Sequence, residues 1–576
     1  MLSDEFYRQD RNRYLENILN SDCDKKLIIA GPGTGKTYTF KKLLEKSFEK
    51  SKKKALVITF IRNLVKDLDK ELSGYAEVRT FHSFCRSEIK KIKGKNFEYY
   101  PNLLSLIKSD FNILYPSLGI KEKSLDDYFY DLKREIINQI VDIADYYNAG
   151  GHNDSVYRVY DYFGKNPEKI PTYPIILVDE YQDFNLLETK IVEKLADKNP
   201  VLIVGDDDQA LYKNRKSSPK YIRQLASNTA YQKFELPYCS RCPQVIVDAV
   251  NNIIEISRRN GYLKGRINKP FKYFPPDKFK DSKENPKIMQ VFCSVERKKC
   301  NYAAKYILNE IINMPDEYKE EALQHNEPAV LVIGSKQFLN GVKSFFQDNC
   351  NYLNSKGWTV EERKDKNAEI HILDGFKFLM SNFRSRLGWR IILERNKDIS
   401  VTEILKKAIM DNIDFVDLID DDLIKSCCET LGILKKIINQ EKLKEAEKEL
   451  IINQIKLSVD DIKKYFDNRS TDEEMESPEN QRILCTSFEG SKGLAAQYVF
   501  ILGFNEGHFP KTNPPSDLDI CRLIVALTRT RKRAYIVSYG RLGKDPLKES
   551  IFVSYIKEFL SSEIKIDKDY IKNLPT

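Results

Sequence analysis

The chain has 576 residues, room for roughly four domains of ordinary size, and its 41% apolar content contains no run of about eighteen apolar residues, which points away from the membrane. Lys and Arg number 94 against 85 Asp and Glu, and the resulting net charge of +9 suits a phosphate-backbone partner without requiring one. Eleven cysteines lie scattered without a disulfide framework, five histidines lack metal-ligand spacing, and SDEFYRQDRNRY after Leu2 has neither a secretory apolar core nor the acid-free character of a transit peptide, so the expected compartment is the cytoplasm.

In chain order, the first strong signal is LIIAGPGTGKT, Leu27 to Thr37. Leu27 to Ala30 is the short apolar run of a buried parallel strand, and Gly31, Gly33, Thr34 and Gly35 allow a tight turn whose amides point at an anion. Lys36 adds a point charge for the β- and γ-phosphates of a nucleotide, and Thr37 adds a hydroxyl for magnesium. Phe40, Leu43 and Leu44 follow at helical spacing, so a helix begins at the cradle, and Tyr38 offers an aromatic face beside it. Ala55 to Phe60 is a second strand-like run. Residues 83–170 then read as lysine- and glutamate-rich helices.

Pro174 to Val178 is a third strand, and it ends on two adjacent carboxylates. Asp179 is placed to hold magnesium through water and Glu180 to orient or deprotonate an attacking water, so cradle and acid pair together describe a machine for ATP and Mg2+. Val201 to Val204 adds a fourth strand, and each run ends where a motif begins, as in a layered α/β core. After the polar stretch Asp277 to Pro286 a second set of strands follows: Ile288 to Phe292, Ala329 to Ile333, Ile483 to Cys485, Tyr498 to Leu502 and Ala534 to Val537. It too is interrupted, by the helical residues 396–478. Two such sheets facing each other make a cleft for ATP.

Outside these elements, Cys239 and Cys242 form a CxxC without a second pair, open to a zinc or iron-sulfur site but read first as two small residues packed near the nucleotide. Lys52 to Lys54, Lys90 to Lys95 and Arg529 to Arg533 are basic clusters of the kind that usually form solvated faces. Lys213, Arg215 and Lys216 follow Tyr212, an aromatic and basic mixture suited to stacking bases and neutralising phosphates.

VDEYQD, Val178 to Asp183, resembles the magnesium motif of superfamily 1 helicases of the UvrD, Rep and PcrA type, and further motifs stand in that family's order from residue 9 to residue 533. Gln9 lies at the distance of the family's adenine-reading glutamine. ITFIRN, with Phe60 and Arg62, and RTFHSF, with His82, resemble its first two single-strand contacts. GDDDQALY resembles the motif whose glutamine senses the γ-phosphate, which makes Gln209 that residue, and PYCSRCP offers Arg241 as one phosphate-binding arginine. TSFEGSKGL and VALTRTRKR resemble the last two motifs, the latter offering Arg529 as the second arginine.

The resemblance implies an α/β chain of two RecA-like domains with parallel sheets, one built from residues 1–82 and 171–276 and the other from 277–395 and 479–576. Residues 83–170 and 396–478 become its helical accessory subdomains, the second short for the family. It also implies ATP and Mg2+ as cofactors, single-stranded DNA or a 3′-tailed duplex as partner, Phe60, His82, Tyr212 and Arg215 along the strand, and 3′ to 5′ movement. The chain departs from the pattern at Ser240, where the family stacks a tyrosine on adenine, at Asn214 in place of a stacking tryptophan, and at Glu489 and Ala495. The truncated second insertion and the missing tryptophan also suit an alternative, a nucleic-acid-activated ATPase subunit that licenses a partner nuclease, as in Gabija-type anti-phage defence. A small-molecule P-loop kinase is a third reading, which the acid pair and the second sheet disfavour.

Overall fold

A computed structural model describes residues 3–59, 72–118, 124–211, 215–295, 301–362, 370–395, 401–470 and 480–573. Six parallel strands form the first sheet: β1 (Lys25–Ala30), β2 (Ala55–Thr59), β3 (Ala76–Thr80), β4 (Ile176–Val178), β5 (Val201–Gly205) and β6 (Gln232–Leu236), in the spatial order β3-β2-β4-β5-β1-β6. The central strands are buried end to end because helices cover both faces, so they read as unbroken apolar runs rather than as alternating ones. Register brings Ile29 beside Gly205 and Val178 beside Ile203, so the carboxyl ends of β1, β5 and β4 are neighbours on one sheet edge.

The second sheet has seven parallel strands: β7 (Met289–Cys293), β8 (Val330–Ile333), β9 (Trp358–Glu362), β10 (Gln481–Thr486), β11 (Ala496–Leu502), β12 (Thr530–Tyr539) and β13 (Ile564–Ile566), in the order β9-β10-β8-β11-β12-β7-β13. The mixed α/β class with two parallel sheets is therefore the one expected. Four strands went unread in the sequence, β3, β6, β9 and β13, and all four are sheet edges. An edge strand has one side open to water and mixes charges into its apolar pattern, as AEVRT and QKFEL do.

Between β3 and β4 the chain runs through helices Phe81–Lys93, Leu103–Leu114, Arg134–Tyr146 and His152–Lys165. Between β9 and β10 it runs through Ile372–Ser381, Arg386–Arg395, Val401–Met410, Asp421–Ile438, Glu445–Ile455 and Val459–Ser470. The second helical segment thus begins ahead of residue 396, because Leu373, Phe376, Leu387, Trp389 and Ile391 are buried in the same core as the helices after it.

That core is shared by both insertions. Arg390 and Asp110, both without solvent exposure, are joined by Arg390 Nε donating to Asp110 Oδ1 at 2.8 Å, while the Tyr147 hydroxyl donates to Asp110 Oδ2 at 2.7 Å. Tyr146 donates to the Ile413 carbonyl at 2.6 Å, Tyr100 to Asp374 at 3.3 Å, and Phe415 stacks on Tyr147. Burial raises the pKa of Asp110, against the pull of Arg390. Taking away one partner leaves a dry charge alone, so Arg390→Ala should lower unfolding stability by about 3–5 kcal/mol in a urea titration. The paired exchange Arg390→Met with Asp110→Leu should restore part of it, since matched apolar residues carry no desolvation penalty while the buried Tyr147 hydroxyl loses its acceptor.

Candidate active site

The site grows from the carboxyl edge of the first sheet. β1 runs into the turn Gly31 to Gly35, where Gly33 and Gly35 take φ of 69° and 86°, a region that only glycine enters without strain. Close approach gives Gly33 a second reason: a Cβ there would lie 2.5 Å from Arg241 Cβ and 3.1 Å from Cys239 Sγ. The turn is tied by Thr34 Oγ1 donating to the Gly31 carbonyl at 2.9 Å, and the helix Lys36–Ser51 starts directly after it. Lys36 reaches across to Glu180, Nζ to Oε1 at 3.3 Å.

β4 delivers the acid pair. Glu180 sits at φ 54°, a left-handed conformation costly for a residue with a side chain, and its amide donates to Asp179 Oδ1 at 2.9 Å. Gln182 Nε2 donates to Glu180 Oε2 at 2.6 Å, and Gln182 Oε1 accepts from the Asp206 amide at 2.9 Å, which links this loop to the end of β5. Both carboxylates are buried. Burial and the charge of Glu180 push Asp179 up to about 7, while burial acts to raise Glu180 but Lys36 and Lys492 overcome it and hold that carboxyl below the usual range. Among the described residues Asp179 has no ion pair of its own. A buried carboxylate without an ion pair is a hard oxygen donor of the kind that fits Mg2+.

After β5, Gln209 is fixed by Asp206, Nε2 to Oδ2 at 2.8 Å. Asp206, Asp207 and Asp208 are the one carboxylate cluster among the described residues compact enough for a metal ion. Cations of the chain already fill that role: Lys269 Nζ lies 2.6, 2.5 and 2.9 Å from the three carboxylates, with Arg266 on Asp208 and Arg223 on Asp207. The acidic run anchors the Gln209 loop to the segment at residues 266–269. The CxxC pair, both thiols buried, takes part in no metal cluster among the described residues.

The other wall comes from the second sheet. Arg529, 2% exposed, donates to the carbonyls of Val525 at 2.9 Å and Leu494 at 3.1 Å and to Gln209 Oε1 at 3.3 Å, all neutral acceptors. Burial, and next the charge of Arg241, bring its pKa down to about 9. Arg241 donates to the Thr528 carbonyl at 3.4 Å, so the two guanidiniums share one seam between the lobes. Lys492, from TSFEGSKGL, crosses the same seam: Nζ donates to the Gln209 carbonyl at 2.8 Å, lies 3.2 Å from Glu180 Oε2 and also pairs with Asp183. Sequence reading passed over Lys492, whose partners lie hundreds of residues away.

A cavity of about 200 Å³ opens beside the cradle, lined by Arg8, Arg11, Asn12, Thr34, Gly35, Tyr38 and Phe274 among others. Tyr38 is half-exposed on its wall. Gln9 is not among the lining residues; its amide donates to Glu5 at 3.2 Å, and the amide that lines the cavity is that of Asn12.

Of the expected strand contacts, Phe60, Arg62 and Tyr212 lie outside the described residues. His82 begins the helix after β3, half-exposed. Arg215 pairs with Glu188 at 3.0 Å. The cluster that ends at Arg533 is likewise structural: Arg531 pairs with Glu327, Lys532 with Asp281 and Glu321, and Arg533 donates to Asn285.

Residues 16–215 match the family described as AAA domain. Over 681 aligned positions, covering 97% of this chain and 90% of the relative, the chain is 22% identical to the probable DNA helicase II homolog of Mycoplasma capricolum subsp. capricolum. It is 24% identical to the DNA helicase II of Rickettsia typhi, with 91% of this chain and 93% of the relative covered. It is 25% identical to the ATP-dependent DNA helicase Rep of Buchnera aphidicola subsp. Schizaphis graminum, with 64% and 63% covered.

Proposed function

We propose that the chain is a UvrD/Rep-type superfamily 1 helicase that hydrolyses ATP between two RecA-like lobes and so moves 3′ to 5′ along single-stranded DNA, a reading supported by the AAA-domain match and by its likeness to DNA helicase II and Rep proteins. The observation that carries this reading is the seam itself. Lys36 and Glu180 from the first sheet meet Lys492 from the second, with Arg241 and Arg529 along the same line, so groups suited to a triphosphate and to an attacking water converge from the two sheets on one seam. In this reading Gly31, Gly33, Thr34, Gly35 and Lys36 cradle the phosphates, Thr37 and Asp179 would hold Mg2+, and Glu180 accepts the proton of the attacking water. Bound there, the metal ion would neutralise charge on the phosphates. Gln209, tied to Asp206 on one side and Arg529 on the other, passes the state of the γ-phosphate between the lobes.

We assign one lobe to residues 1–82 and 171–276 and the other to 277–395 and 479–576, with insertions 83–170 and 396–478, the second packing back to Ile372. The direction of movement rests on family analogy alone. The test is ATPase and strand displacement on duplexes with a 3′ or a 5′ single-stranded tail. Stimulation of ATPase by single strands and displacement confined to the 3′-tailed substrate are expected; equal ATPase rates with duplex, single strand and no nucleic acid defeat the reading. Displacement by the isolated chain also removes the alternative in which it only licenses a nuclease.

A further inference from the structure

The first insertion adds to His82, the one member that a motif announces, a cluster of aromatic and basic side chains. Its short strand Glu98–Tyr99 pairs with Ala149–Gly150, which brings Tyr99 beside His152 at the start of the next helix, the Tyr99 hydroxyl 2.6 Å from His152 Nδ1. The His152 ring meets His82 edge to face, centroids 5.3 Å apart at 88°. The Arg86 guanidinium lies over the Tyr99 ring, 4.6 Å from its centroid. Tyr99, His82 and His152 are each partly exposed and Arg86 is exposed. On their helix His82, Arg86 and Lys90 recur every four residues, a half-open basic stripe along one face.

The placement matters as much as the chemistry. Thr80 ends β3 at the same edge of the first sheet that carries the cradle, so His82 stands at the far end of that edge from β1. Neighbouring side chains on a strand point to opposite faces. Glu98 accordingly turns to the second insertion and accepts from Ser385 at 3.0 Å, which leaves Tyr99 on the other face with the histidines. Every nucleobase has a π face and every link a phosphate, so rings flanked by guanidinium and ammonium groups bind a single strand without reading its sequence.

We infer that Tyr99, His152 and His82, with Arg86 beside them, form a base-stacking platform through which the first insertion grips the single strand. This rests on the motor reading above. It supplies, from a different element, the stacking surface missing where Asn214 replaces the family's tryptophan.

The experiment is fluorescence anisotropy of the full chain with a short oligothymidylate and, separately, a short oligouridylate. Tyr99→Leu and His152→Leu keep volume but lose the π face, and each should weaken binding at least fivefold. Tyr99→Phe keeps the face while breaking the hydrogen bond to His152, and should bind within about twofold of wild type. Arg86→Met, a change at an exposed position, should weaken binding about threefold and flatten its salt dependence. Leucine variants that bind like wild type overturn the platform, and so does Tyr99→Phe failing as badly as Tyr99→Leu, because the role is then structural. Wild-type binding of either oligomer supports it if the variants lose that same oligomer. Wild type that binds neither sinks the motor reading itself, an outcome separate from variants that merely match wild type.

Discussion

Arg529→Ala is expected to slow ATP turnover by about 10³-fold or more, the scale on which an arginine completing a phosphoryl-transfer site from a facing wall acts. The resting environment of Arg529 explains why. Its guanidinium is buried against carbonyls and an amide, beside a second arginine, and among the described residues it forms no ion pair, so burial and the neighbouring charge disfavour its charged form and lower its pKa. A γ-phosphate entering the seam relieves that penalty, and relief that grows as charge builds on the transferred group is catalysis. Arg529→Lys keeps charge but loses the planar fork that bonds Val525, Leu494 and Gln209 together, and should recover only part of the rate. Steady-state ATPase with and without single strands is the measurement, with thermal melting to show that the fold survives. A folded Arg529→Ala protein turning over within about tenfold of wild type removes Arg529 from the chemistry.

Glu180→Gln should bind ATP yet turn it over about 10²- to 10⁴-fold more slowly, since the amide keeps the shape but cannot accept a proton. The two oxygens of Glu180 are not equivalent: one faces Lys36, and the other accepts from Gln182 and lies near Lys492. An amide in that place turns an NH2 toward one of these donors, so the seam between the lobes should loosen as well. Lys492 keeps Asp183 as a partner, which limits the loss. Equilibrium binding of a fluorescent ATP analogue separates the two effects, and single-turnover hydrolysis reads the chemistry. Turnover near the wild-type rate would falsify the assignment of Glu180 as base.

The parts legible in the sequence share a physical form: a buried central strand, which must be an unbroken apolar run, ending in a short motif. Leu27 to Thr37 and Pro174 to Asp183 are of this kind, and the structure sets their ends on one edge of the sheet with β5 between them. The four edge strands were hidden because water on one side allows Glu77, Arg79, Lys233 and Glu361 into the pattern. Lys492 was hidden differently. Its significance lies in Glu180, Asp183 and Gln209, and no local spacing records a contact made across two lobes. Arg215, expected along a strand, has a partner that local spacing could not record: Glu188, buried beneath it, pairs with the guanidinium. The Asp206 to Asp208 run resembles a metal site until Lys269, some sixty residues on, is seen among the three carboxylates.

The common core of the two insertions has a mechanical consequence. Arg390 from the second insertion and Asp110 from the first are buried against each other, and the same core takes in Leu27, Ile29, Ile58 and Val178 of the first sheet, so both insertions are fastened to that sheet as one block. Levering either insertion away from the other would therefore also expose apolar surface over the first sheet, so the two should come loose together or not at all.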